Sequence, residues 1–116
     1  MQANTWISTA EAIMNNNLKV VFVDVDETHN ICIKDLDKKI SKRTSAIIVV
    51  HLFGNPANIE MIVKISRGKD KNIKIIEDCA QSHGAEYKNK KVSSFGDIST
   101  FSFFPSKNLG CYGDGG

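Results

Sequence analysis

The chain is poor in the features that mark specialised proteins. Among 116 residues there are two prolines, one tryptophan and three cysteines. Cys32, Cys79 and Cys111 are odd in number and have no paired spacing, so neither a disulfide framework nor a zinc site is expected. Reduced thiols in a cytoplasmic compartment fit this usage. No charge of one sign dominates: the formal charge is +2. The nearest approach to a basic run, Lys38, Lys39, Lys42 and Arg43, is preceded by Asp35 and Asp37 and reads as a solvated helix face, not a nucleic-acid site. The longest apolar runs, Val20–Val23 and Ile47–Val50, are far too short to cross a bilayer. Near the N-terminus Gln2, Asn4 and Thr5 stand where a signal peptide would carry an apolar segment.

What is there reads as one domain of ordinary globular composition, 41% hydrophobic and 24% charged. Three β-branched runs, Val20–Val25, Ile47–Val50 and Ile73–Ile76, are nearly continuous in apolar character, as strands buried on both faces of a parallel sheet are. Helical spacing occurs over Thr5–Asn15, over Asp35–Ser41 with Leu36 and Ile40 four apart, and from Ile59 to Ile65. Asn55 and Pro56 look like a cap and first-turn proline for the last of these. Alternating strands and helices imply a layered α/β fold with right-handed crossovers. Beyond Asp78 a polar stretch, Gln81–Ser94, reads as a long loop with a short hairpin, and Ile98–Phe103 as a further strand. The sequence opens on a helix without a preceding strand and stops in a glycine-rich turn, so both ends read as cut. Met1 is compatible with a true start or with a truncation.

Two residues stand where chemistry belongs. Ligands of open α/β sheets bind beyond the carboxyl ends of strands. Asp78 follows the run Ile73–Glu77 at such a place, where a carboxylate serves a cofactor, a metal or, the simplest case, a helix cap. Lys107 lies in a loop among Phe103, Phe104, Pro105 and Leu109, apolar surroundings that would desolvate an amine and favour its neutral form. Pyridoxal phosphate (PLP) needs this pair: a lysine to form a Schiff base, and an acid to keep the pyridine nitrogen protonated. The pair alone does not single out PLP.

The wording of the segments goes further. Ile76-Glu77-Asp78-Cys79-Ala80-Gln81-Ser82-His83-Gly84-Ala85, Phe95-Gly96-Asp97, Phe101-Ser102-Phe103-Phe104-Pro105-Ser106-Lys107-Asn108-Leu109-Gly110 and Gly113-Asp114-Gly115-Gly116 closely resemble the DegT/DnrJ/StrS family of PLP-dependent sugar aminotransferases. Upstream, Asn4–Thr9, Val21–Asp24 and His51-Leu52-Phe53-Gly54 match in order and spacing, so the resemblance spans essentially the whole chain.

The resemblance implies an α/β fold: the three-layer α/β/α large domain of a fold-type I PLP-dependent transferase, here incomplete. The family's N-terminal phosphate-binding segment and C-terminal small domain are missing from residues 1–116. It implies that Lys107 carries PLP and moves the proton, and that Asp78 pairs with the pyridine nitrogen. It implies further that Gln81 bonds the phenolic oxygen, Ser102 contacts the phosphate and Trp6 stacks on the ring. For Trp6, core packing is the alternative. His51 and His83 occupy motif positions without an evident chemical role and read as satisfied or partly buried. Gly113–Gly116 reads as a tight turn, not a phosphate cradle.

The implied reaction passes an amino group, usually from glutamate, to a keto group of a nucleotide-linked sugar, in a cytoplasmic homodimer whose sites borrow residues from the second subunit. The wording around Lys107 and His51 most resembles members acting at the sugar 3-position. Two alternatives stand beside this: a dehydratase relative, which in this family replaces the lysine by histidine, and a truncated, inactive chain. A Rossmann module is disfavoured, because no glycine fingerprint follows Val20–Asp24. Taken alone, the 116 residues are expected to fold poorly and be inert.

Overall fold

A computed structural model describes residues 1–116 throughout. Its centre is a three-stranded parallel sheet in the order β1-β2-β5, formed by β1 (Ala46–Val50), β2 (Lys74–Asp78) and β5 (Ile98–Thr100). The register is continuous, from Ala46 opposite Lys74 to Val50 opposite Asp78, and from Ile76 opposite Ile98 to Asp78 opposite Thr100. Parallel strands require crossovers. The first is α3 (Ile59–Lys69), whose first turn is capped by the Asn58 side chain accepting from Met61 N–H. Two shorter helices, α1 (Ile7–Asn15) and α2 (Ile33–Lys39), precede the sheet.

Strand side chains alternate between faces, and here the two faces differ. Ile47 and Val49 of β1 and Ile75 of β2 pack with Leu36, Ile59, Ile62 and Ile73 into one core, and all are buried. Burying an isoleucine contributes about 1.5–3 kcal/mol, so this cluster is the main stabilising element. The other face carries Ile48 and Ile76, which are only partly buried. Together with Ile13 of α1, Val21, Leu36 and Ile40 they line an apolar cavity of about 480 Å³. The expectation of strands buried on both faces therefore holds for one face of β1 and β2, and on the other face only at Val50. On the other face α1 buries only Ala10, and its Ile7 and Met14 are exposed.

Three local expectations are corrected. Val20–Val25 is not a sheet strand: it pairs only through isolated bridges, Gln2 with Val23 and Val25 with Ile31. The short segment Met1–Ala3 supplies its backbone partners, which leaves Val21 and Phe22 exposed. The cap of α3 is Asn58 instead of Asn55, because Ala57 N–H is committed to the His51 ring and holds residues 55–57 outside the helix. The last strand ends at Thr100, and Phe103 instead pairs its N–H with Gly115 and its carbonyl with Cys111. The expected hairpin is present as β3 (Glu86–Tyr87) and β4 (Lys90–Lys91), turning on Lys88 and Asn89 with φ of 51° and 63°. Two successive positive φ values are the type I′ geometry that matches strand twist. The basic cluster behaves as a solvated face, with Lys39 bonded to Asp35 and to the Phe22 carbonyl. All three cysteines are free.

Candidate functional site

The carboxyl ends of β1 and β2 carry the loops that build the site. β1 runs into His51, a 3₁₀ turn over Leu52–Gly54, and Ala57. The turn contains an exposed aromatic residue in left-handed conformation, Phe53 at φ 55° and ψ 24°, followed by Gly54 at φ 78°. For a bulky residue this conformation costs about 1–3 kcal/mol and persists only where its surroundings impose it. Here Phe53 N–H donates to Gln81 Oε1 at 2.9 Å.

β2 ends on Asp78, which is half-buried. Its Oδ1 accepts from Ala80 N–H at 3.1 Å, and its Oδ2 stands 3.4 Å from the Thr9 hydroxyl in the first turn of α1. The main-chain carbonyl of Asp78 accepts from His51 N–H at 3.1 Å, joining the two loops. Part of the structural role expected of a carboxylate here is thus real. Three residues on, Gln81 lines a polar cavity of about 310 Å³ together with Phe53, Ser106, Lys107 and Asn108.

The structure therefore brings Gln81 and Lys107 to one cavity, with Asp78 at the base of the same loop. Lys107 is half-buried, but Phe104 and Leu109 point to solvent, so the apolar enclosure expected around its amine is not formed. The turn that holds it is tight: Lys107 N–H bonds the Phe104 carbonyl, and any side chain at Gly110 would overlap the Pro105 carbonyl. Ser102 does not line the cavity; its hydroxyl accepts from Phe104 N–H at 3.3 Å. Trp6 immediately precedes α1 without a side-chain bond to it and is 77% exposed, also outside the cavity lining. The glycine segment is a turn folded onto the chain, since a Cβ at Gly116 would stand 2.8 Å from the Phe101 carbonyl oxygen.

The donor set fits PLP. Gln81 Oε1 is occupied by Phe53, which leaves the NH₂ end of the carboxamide free to donate to an anionic oxygen beside Lys107.

Beneath the site lies a buried network that joins His51, satisfied as expected, to Glu77. Glu77, fully buried, accepts from Phe95 and Gly96 N–H on Oε1, and from Ser93 N–H and His51 Nε2 on Oε2, at 2.7–3.1 Å. Burial pushes its carboxyl up, but the His51 contact and the three backbone bonds outweigh that and hold it down at about 2. Gly96 is required by close approach, because a Cβ there would lie 2.8 Å from the Ile75 carbonyl oxygen and 3.2 Å from Glu77 Cγ. Asp97 then ties the end of the loop to β2 through Ile75 N–H at 2.8 Å. Glu77 and His51 stood in the quoted motifs. The signal of Glu77 is a charged residue interrupting an apolar strand, which requires a partner. Burial, the dominant influence, pushes the Cys79 thiol up to about 11, so this cysteine is no nucleophile. His83 packs against Phe101 and Phe103 at 5.1 and 5.7 Å between ring centroids, and neither of its ring nitrogens has a partner.

This parallel α/β sheet, with Asp78 ending β2 and with Gln81 and Lys107 lining one cavity beyond it, is the fold of the PLP-dependent aminotransferases, here incomplete. The sequence model of the DegT/DnrJ/EryC1/StrS aminotransferase family matches residues 1–116, and the chain belongs to that family. It is 48% identical over 113 residues to a UDP-N-acetyl-3-dehydro-alpha-D-glucosamine 3-aminotransferase of Acidithiobacillus ferrooxidans, covering 97% of this chain and 30% of that protein. It superposes with a TM-score of 0.90 and 34% identity on DesV of S. venezuelae, solved with a ketimine intermediate, over 98% of this chain and 30% of DesV. The E. coli GDP-4-keto-6-deoxy-D-mannose-3-dehydratase with bound hydrated PLP is similar too, with a TM-score of 0.87 and 39% identity over 95% of this chain and 28% of that one. The chain spans about 30% of the length of the curated relatives it matches.

Proposed function

We propose that residues 1–116 are the central part of the PLP-binding large domain of an aminotransferase that passes an amino group from glutamate to a keto group of a nucleotide-linked sugar. The observation that carries this reading is the shared cavity: Gln81 and Lys107, far apart in sequence, line one polar space at the carboxyl edge of the sheet. The reading includes a phosphate-binding segment before residue 1, a small domain after residue 116 and a homodimeric assembly in the cytoplasm. The large apolar cavity beside Ile48 and Ile76 supports it, since a face so lined needs further chain to cover it. Free thiols suit a reducing compartment, and no helix is long and apolar enough to cross a membrane.

When bound, PLP supplies an electron sink for the carbon that gains or loses its amino group. The chain's own residues do the rest. Lys107 Nζ would anchor the cofactor and carry the proton to and from the reacting carbon. Asp78 would place a negative charge beside the pyridine nitrogen and hold a proton there. Gln81 would donate its free NH₂ to the phenolic oxygen, Ser102 would contact the phosphate and Trp6 would cover the ring. A lysine at position 107, where the dehydratase branch has histidine, favours amino transfer over deoxygenation.

The test is borohydride fixation of PLP in the full-length protein, with the labelled peptide mapped by mass spectrometry. Label on Lys107, lost together with the visible absorption band in Lys107→Ala, is expected. A variant still labelled at another lysine with its band intact would overturn the assignment.

A further inference from the structure

The proposed reaction makes no direct use of His51, although this histidine is fully buried and bonded at every polar atom. We propose that His51 is a positioning residue: its imidazole, held by Glu77 as the Nε2–H tautomer, closes the 51–57 loop and thereby aims the Gln81 carboxamide into the cavity that Lys107 lines. The inference rests on the cofactor reading above.

The tautomer follows from the partners. Nδ1 lies 3.1 Å from Ala57 N, a backbone donor, so Nδ1 carries the lone pair. The ring proton is then on Nε2, 3.1 Å from Glu77 Oε2, an oxygen that also accepts from Ser93 N–H. The opposite tautomer, or a doubly protonated ring, would set two donors against each other at Ala57. A permanent carboxylate opposite Nε2 selects the arrangement seen, the same second-sphere logic by which a carboxylate fixes the orientation of a working histidine.

His51 thereby ties both ends of its loop. Its main-chain N–H is bonded to the Asp78 carbonyl, its own carbonyl accepts from Gly54 N–H at 3.3 Å, and its ring holds Ala57. Between these ties Phe53 is kept left-handed, with its N–H 2.9 Å from Gln81 Oε1. One end of a carboxamide accepts and the other donates, so fixing Oε1 on Phe53 dictates where the NH₂ group points. Glu77, His51, Phe53 and Gln81 form one chain of contacts leading from the core to the cavity.

The experiment uses the full-length protein prepared free of PLP. Three quantities are read: the PLP dissociation constant with the position of the visible band, amide hydrogen exchange over residues 52–55 without PLP, and thermal stability. Gln81→Ala is expected to weaken PLP about 5–10-fold, the loss of one hydrogen bond, and to shift the band. His51→Ala is expected to match it, and the double variant to be no weaker than either single one, because both remove the same contact. His51→Ala should also speed exchange at residues 52–55 in the PLP-free protein. His51→Asn places Oδ1 where Nδ1 stood, so it can still accept from Ala57 and should restore affinity to within about twofold. It loses the Glu77 bond and with it some stability.

A merely structural histidine would give lower thermal stability with PLP affinity unchanged, and that result overturns the proposal. Additive effects of His51→Ala and Gln81→Ala overturn it as well. A silent Gln81→Ala sinks the cofactor role of Gln81 and this proposal together, whereas an affected Gln81→Ala beside a silent His51→Ala sinks the proposal alone. Should His51→Ala not fold, Gly54→Ala strains the same turn at φ 78° without touching the buried pair. It is expected to weaken PLP non-additively with Gln81→Ala, and normal affinity in that variant counts against the proposal with equal force.

Discussion

Glu77→Gln exchanges one carboxylate oxygen for an NH₂ group in a site where every neighbour is a donor. Phe95 and Gly96 N–H meet Oε1 at 2.8 and 2.7 Å, and Ser93 N–H and His51 Nε2 meet Oε2 at 2.9 and 3.1 Å. Whichever way the amide is turned, two buried donors lose their acceptor and face a third. Each such loss costs about 1–3 kcal/mol, so the variant should be destabilised by about 2–6 kcal/mol at pH 7. The same carboxylate predicts an acid limb. Its folded pKa, about 2, lies below the ordinary value of 4.5 that it regains on unfolding. A depressed folded pKa means that the unfolded chain takes up the proton more readily. The contribution is therefore complete above pH 4.5 and lost as the pH falls through about 2. A shift of this size corresponds to about 3 kcal/mol. Urea unfolding of the full-length parent and variant, from pH 7 down to pH 3, measures both effects. The parent should lose stability across that acid window and the variant should lose less, so the gap between them narrows. A variant within about 0.5 kcal/mol of the parent at pH 7, with a parallel pH profile, would refute this account of the network.

Two further outcomes follow from the same geometry. Gly96→Ala drives a methyl group into the Ile75 carbonyl and the Glu77 side chain, and should cost about 2–4 kcal/mol in chemical unfolding, an unusually large effect for Gly→Ala. Asp78→Asn keeps the shape and the Ala80 contact but removes the charge; it should still bind PLP while slowing the glutamate half-reaction by the equivalent of about 1.5–3 kcal/mol, and turnover near the parent rate in stopped-flow absorbance would count against the charge.

The sheet was legible because its signal is one-dimensional. Ile47–Val50 and Ile73–Ile76 are apolar runs of strand length, and each falls within one residue of an observed strand or inside it. Val20–Val25 has the same signal, and its pairing with a mere three residues of chain at Met1–Ala3 is a tertiary fact that periodicity cannot express. The α3 cap was misplaced for a related reason: Asn55-Pro56 is good local capping chemistry, but the His51 ring claims Ala57 N–H from across the loop. Gln81 and Lys107 were found through the wording of their segments, and the structure adds that they line one cavity. His51 reads from sequence as satisfied or partly buried, and it is buried and fully bonded; its pairing with Glu77 was not legible, because the partners of both are mostly backbone N–H groups that no side-chain pattern records.

Glu77 and Asp78 show why the two tasks sit so close together. Successive residues of a strand point to opposite faces, so adjacent carboxylates on β2 meet different surroundings. Glu77 turns to the face packed by α2 and α3, where burial is complete and its charge is tolerable only because four donors converge on it. Asp78 turns to the side of α1, where Thr9 is its nearest side-chain partner and the carboxylate stays half-exposed. A one-residue slip of β2 would exchange these environments, stranding a charge in the core and taking the Asp78 carboxylate away from Thr9. The four bonds to Glu77 thus fix the register of the strand end on which Asp78 stands, so the network that stabilises the fold also sets the position of the acid proposed for catalysis.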